Sequence, residues 1–165
     1  MNSEVPMGRR LRVNNRWLAW LMATVFLPLV IGAGEPGFQA LLVWGTNNDK
    51  PEGAKLTELD PKAREKLRQF KWKNYWVVNE VVTGIGTAKP TQVKLSDKCA
   101  IDLKDLGNGL AEIRLFELKK GVEPKLVKPV QHPLAALKKG EYCILAGDDK
   151  AVWDDAWFVI VTAAK

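Results

Sequence analysis

From residue 92 to residue 163 the chain is cut into short apolar-alternating segments separated by turn residues, and that rhythm leaves few architectures open to it. Gln92-Val-Lys-Leu95 alternates cleanly, and Cys99, Ile101 and Leu103 alternate with Ala100, Asp102 and Lys104. Alternation of period two sorts side chains onto the two faces of a strand. Gly107-Asn108-Gly109 then leads into Ala111-Glu-Ile-Arg-Leu115, so the two runs predict a β-hairpin with suitable turn chemistry. Lys119-Lys-Gly121, with Pro124, Pro129 and Pro133 beyond it, predicts a further turn and an edge strand around Leu126-Val127, because proline cannot serve a ladder on both sides. Residues 138–146 and 156–163 predict a closing hairpin around Gly147-Asp148-Asp149. The last run, Ala156-Trp-Phe-Val-Ile-Val-Thr-Ala163, is apolar on both faces and belongs inside a sheet.

Upstream, Phe38-Gln-Ala-Leu-Leu-Val-Trp-Gly-Thr46 reads as a buried strand that stops at Asn47-Asn48-Asp49-Lys50-Pro51. Asp60-Pro61 marks a helix start, with an aspartate cap and a proline in the first turn. Leu56, Leu59, Ala63, Leu67 and Phe70 recur every three or four residues, and Lys62, Arg64, Glu65, Lys66 and Arg68 fill the other face. After Phe70 the period changes to two. Phe70, Trp72, Trp76 and Val78 are expected to face the core, with Lys71, Lys73, Tyr75 and Val77 between them. The fold class is therefore mostly β (α+β): an antiparallel sandwich or twisted sheet of about seven or eight strands, carrying one amphipathic helix near residues 60–70.

Ahead of this domain stands a segment of a different kind. Arg9, Arg10, Arg12 and Arg16 precede the apolar run from Leu18 to Gly34, which ends on small residues. Basic, apolar and small-residue regions in that order read as a secretory signal over residues 1–34, leaving one exported domain at 35–165. An uncleaved inner-membrane anchor at residues 17–34 is the alternative. That run is near the lower limit for a span, and Pro28 interrupts it. The whole chain carries 25 Lys+Arg and 19 Asp+Glu, net +6. Four arginines and one glutamate of that total fall in the first 34 residues, leaving 21 basic and 18 acidic groups. Interleaved charge of this size is an ordinary solvated surface, so nucleic acid is not expected as a partner. Export also permits Cys99 and Cys143 to pair as a disulfide. Two separate buried thiols are the alternative.

Little in the domain is equipped for chemistry. His132, the sole histidine, lies among prolines and reads as a loop residue, and Ser96 beside Asp97 is the one serine after residue 34. No spacing suits a tetrahedral metal site, and Gly84-Ile-Gly86 has no helix start behind it to hold a phosphate, so no metal or cofactor is expected. Asp148, Asp149, Asp154 and Asp155 gather at one turn but lack the pattern of a calcium loop. Of the aromatics, Trp44, Trp72, Trp76 and Trp157 are expected in the core. Lys71, Lys73, Tyr75 and Trp153 remain as a candidate binding surface for a polysaccharide or another envelope protein.

Ala40-Leu-Leu-Val-Trp-Gly-Thr-Asn47, Leu59-Asp-Pro61 through Phe70-Lys-Trp-Lys-Asn-Tyr75, and Ala146-Gly-Asp-Asp149 through the last strand resemble a group of small uncharacterised exported bacterial proteins. The resemblance implies a signal followed by a strand–helix–strand domain and brings no activity with it. By exclusion, the expected role is a non-enzymatic binding or structural module of the bacterial periplasm or cell envelope. A carboxylate-based glycan hydrolase, or an inhibitor of an exported hydrolase, is the alternative.

Overall fold

A computed structural model of the protein describes residues 37–146 and 155–164. The signal or anchor segment at 1–34, the hairpin tip with Asp148, Asp149 and Asp154, and Trp153 lie outside the described residues. The elements run in the order β1 (Phe38–Thr46), β2 (Thr57–Glu58), α1 (Pro61–Lys66), β3 (Asn74–Thr83), β4 (Thr91–Lys94), β5 (Cys99–Asp105), β6 (Leu110–Lys119), β7 (Val122–Pro133), α2 (Leu134–Lys138), β8 (Cys143–Ala146) and β9 (Asp155–Ala163). All named strand pairs are antiparallel. They form a five-stranded sheet, β2-β3-β1-β9-β8, and a four-stranded sheet, β4-β5-β6-β7.

The turns form where their residues allow. Between β5 and β6, Gly107 and Gly109 take φ of 75° and 82°, a region costly for any residue with a Cβ. The Asp105 carboxylate accepts the Gly107 N–H at 2.8 Å, and the Asn108 side chain accepts the Leu110 N–H at 3.2 Å. The strand β7 is an edge, as its three prolines require.

The five-stranded sheet is covered on both faces. On one face, Leu41, Val43, Phe158 and Ile160 meet Leu59, Ala63 and Leu67 around α1. Asp60 caps this helix, accepting the N–H of Lys62 at 2.9 Å and of Ala63 at 3.4 Å, and Pro61 occupies its first turn. On the other face, Phe38, Ala40, Leu42, Val159 and Val161 meet Val93, Ile101, Leu103, Ile113 and Leu115 of the four-stranded sheet. Both β1 and β9 thus carry buried residues on both faces, so their apolar run is unbroken. Full burial of one such aliphatic side chain stabilises the fold by about 2 kcal/mol. At one end of the sandwich Phe38 pairs with Ala163, and the Ala164 N–H donates to Gly37 at 2.8 Å.

Two features depart from the sequence expectation. The strand after α1 starts at Asn74, not Phe70. It also carries a bulge: Leu42 faces Asn79 and Val43 faces Val77, leaving Val78 as an extra residue. Tyr75 and Val77 join the α1 side of the core, because α1 covers the face of the sheet that alternation gives them. Tyr75 is buried, and its hydroxyl donates to the Leu67 carbonyl at 3.2 Å. The second departure is α2, five residues long and without a side-chain cap, in a stretch whose prolines suggest loop.

Candidate functional site

The two ends of the sandwich differ. At one end α2 acts as a stopper: Leu134 and Leu137 are buried in the inter-sheet core beside Ala111, Cys143 and Val161, and the Leu134 N–H donates to Gly109 at 2.9 Å. At the other end no described element takes that place. There the sheets part into a cleft of about 830 Å3, lined by Leu42, Val78, Leu145, Trp157 and Val159 from one sheet and by Cys99, Leu115, Phe116, Leu126 and Val127 from the other.

Local irregularities build this cleft. Val78 is the bulge residue of β3. In β7, Leu115 faces Lys128 and Phe116 faces Leu126, so Val127 is the extra residue of a second bulge. Bulges re-aim side chains, and here both extra valines line the same opening. The mouth is apolar: Val78 is 37% exposed, Val127 36%, Leu126 46% and Trp157 46%. Single exposed apolar residues are ordinary, whereas here four surround one concavity. Trp157 was expected in the core. Its alternation places it on the inter-sheet face, where it is half-exposed at the cleft mouth and stacks on Trp44, with ring centroids 6.4 Å apart.

The polar groups of the cleft cluster on the Ser96–Lys98 turn and on the β6–β7 arm. Ser96 accepts the Lys98 N–H at 3.1 Å and holds that turn. Asp97 is ion-paired with Lys94 at 2.6 Å, and Glu117 with Lys119 at 3.0 Å. The Lys94 hydrogen bond and charge hold the Asp97 carboxyl below its ordinary value. Lys98 and Lys125 also line the cleft, and among the described residues neither has an ion-pair partner.

Of the surface singled out from sequence, Trp153 lies outside the described residues. Lys71 and Lys73 are exposed, and the alternate residues Phe70 and Trp72 turn inward onto Phe158. Tyr75 is core. His132 is not a loop residue: it pairs with Ala111 in β7, is half-buried, and its Nε2 has no described partner. No three His, Cys, Asp or Glu converge as a metal-ligand set among the described residues, and no helix among them is long and apolar enough to cross a membrane. No known protein family, curated protein or solved structure matches the chain.

Cys99 and Cys143 are free thiols, one in each sheet. Cys99 lines the cleft, and Cys143 faces the same core nearer α2, opposite Val161. Burial raises the Cys99 thiol and pushes Cys143 up to about 11. A thiol whose folded value exceeds its unfolded value, about 8.5, contributes stability that is whole below the lower value and lost as pH rises through the higher one. Stability is therefore expected to fall as pH climbs from about 9 toward 11. Urea unfolding at successive pH values checks this, and Cys143→Ala should flatten the slope while lowering the whole curve.

Proposed function

We propose that this protein is a non-enzymatic binding module of the bacterial cell envelope that holds an apolar ligand in its inter-sheet cleft. The observation that carries this is the convergence of Val78, Leu126, Val127 and Trp157, all exposed, on one concavity. Export is inferred from the order of Arg9, Arg10, Arg12 and Arg16 before the apolar run to Gly34. The carboxylate-hydrolase alternative gains little from the cleft. Its two described acids, Asp97 and Glu117, are each paired with a lysine, and the Lys94 contact lowers the Asp97 carboxyl, whereas glycoside cleavage needs one acid raised. An inhibitor of a hydrolase would present a protruding loop, and here four of the six exposed large apolar residues among those described line a hollow.

Titration with the neutral, environment-sensitive dye Nile red is expected to show one saturable site. Leu126→Glu, at a half-exposed position, should abolish the site while shifting stability by no more than about 0.5 kcal/mol. Dye binding that is absent, or indifferent to Leu126→Glu and Trp157→Glu, would remove the cleft from consideration. Fractionation of a tagged full chain checks the location, and a purely cytosolic product would remove the envelope assignment.

A further inference from the structure

We propose that the ligand is a single-chain anionic amphiphile of the long-chain fatty-acid class, resting on the binding role proposed above. The chain lies between the sheets, and the carboxylate meets Lys98 and Lys125. Three observations carry this.

The first is the distribution of polarity. The accessible walls, Val78, Leu126, Val127 and Trp157, are apolar over a floor of packed Leu42, Leu145 and Val159, and the polar lining groups belong to the Ser96–Lys98 turn and the β6–β7 arm. A ligand matched to this lining is apolar over most of its length and polar at one end. About 830 Å3 also falls within the range of roughly 300–1,000 Å3 that small-molecule ligands occupy.

The second is the sign of the uncompensated charge. Among the described residues four charged side chains line the cleft, two of each sign. The acids are satisfied locally, Asp97 by Lys94 and Glu117 by Lys119. Lys125 stands opposite Glu117 in the β6–β7 ladder, but the Glu117 carboxylate is engaged by Lys119 at 3.0 Å. Two ammonium groups are thus left for a partner, and an anionic head supplies it.

The third weighs against a peptide as the occupant. A peptide strand binds by adding to a sheet edge, and the edges beside this mouth are β8, only four residues long, and β7. Pro124 and Pro129 withhold backbone donors there, and Lys125 and Lys128 stand between them, a composition that discourages strand addition.

The test uses the full chain, with cis-parinaric acid as the fluorescent carboxylate and its methyl ester as the neutral counterpart. Alkylation of Cys99 by a maleimide, followed by peptide mass analysis, reports where the probe sits, with the more buried Cys143 as internal reference. The acid is expected to bind one-to-one, to slow alkylation of Cys99, and to weaken by about tenfold in the Lys98→Ala/Lys125→Ala variant, the ester being unaffected. Equal binding of acid and ester in both proteins would overturn the head-group assignment and leave an apolar-ligand site. Failure of both probes where Nile red still binds would overturn the fatty-acid class alone. Failure of all three, or binding that leaves Cys99 unprotected, would overturn the site itself. Capture by anionic phospholipid vesicles without binding of the monomeric acid would likewise overturn the inference, in favour of a membrane surface.

Discussion

Replacing Phe158 with alanine is expected to lower the unfolding free energy by about 4 kcal/mol, read as a shift in guanidinium midpoint at unchanged slope. Phe158 is 1% exposed and stands at the centre of the aromatic cluster on the α1 face. Its ring lies 4.9 Å from Phe70, 5.7 Å from Trp72 and 6.0 Å from Tyr75, centroid to centroid. Gly45 makes room for this cluster: a Cβ there would come within 3.0 Å of Phe158 and 3.2 Å of Tyr75. Removing the Phe158 ring leaves three aromatic neighbours and α1 around a void that rigid strands cannot close. A domain of this size has about 5–15 kcal/mol in total, so the variant should sit close to unfolding. Phe158→Leu should recover most of the loss. A cost below about 1 kcal/mol for the alanine would mean that the α1 side is not a packed core.

Gly86→Ala is expected to cost about 3 kcal/mol, a large effect for one methyl group. A Cβ at this position would lie 1.9 Å from the Lys89 carbonyl oxygen and 2.9 Å from the Thr91 nitrogen. Both are backbone atoms, which cannot swing aside as a flexible side chain would. Gly86 is also tied to β5, donating to Leu103 at 3.3 Å and accepting from Asp105 at 2.8 Å, so it cannot retreat without breaking those bonds. Gly84→Ala, two residues earlier, meets nothing within 4 Å and serves as the control; it should be neutral within about 0.5 kcal/mol. Equal effects at the two positions would show that chain flexibility, not the close approach, sets the cost.

Local chemistry made much of the fold legible. Asp60-Pro61 announces α1 because a cap and a first-turn proline act within a few residues. Gly107-Asn108-Gly109 announces its hairpin because the left-handed backbone is a property of single residues. The prolines of β7 announce an edge for the same reason. What escaped depends on partners distant in sequence. The Val78 bulge exists because β3 pairs with β1, and Tyr75 is core because α1 covers the face that alternation alone leaves to solvent. Alternation assigned Trp157 to a face but not to a position along it, so its exposure depends on where the opposing sheet stops. The five residues of α2 are too short for a helical period to declare itself among prolines. The cleft was invisible for a combined reason: it needs α2 at one end, no such stopper among the described residues at the other, and two bulges in different sheets. Even so, the sequence contained two of its marks, the edge strand around Leu126-Val127 and the Ser96-Asp97 turn.

The pairing of Phe38 with Ala163 has a practical side. Both ends of the described domain leave from the α2 side, and the strands run about 26 Å from there to Thr46 and Asp155. A bead, a chip surface or a fusion partner joined directly ahead of Gly37 or directly after Ala164 therefore attaches at the far pole from Trp157. Domain immobilised through either of these two points should present its opening to solution, and measurements made through the two attachments should agree.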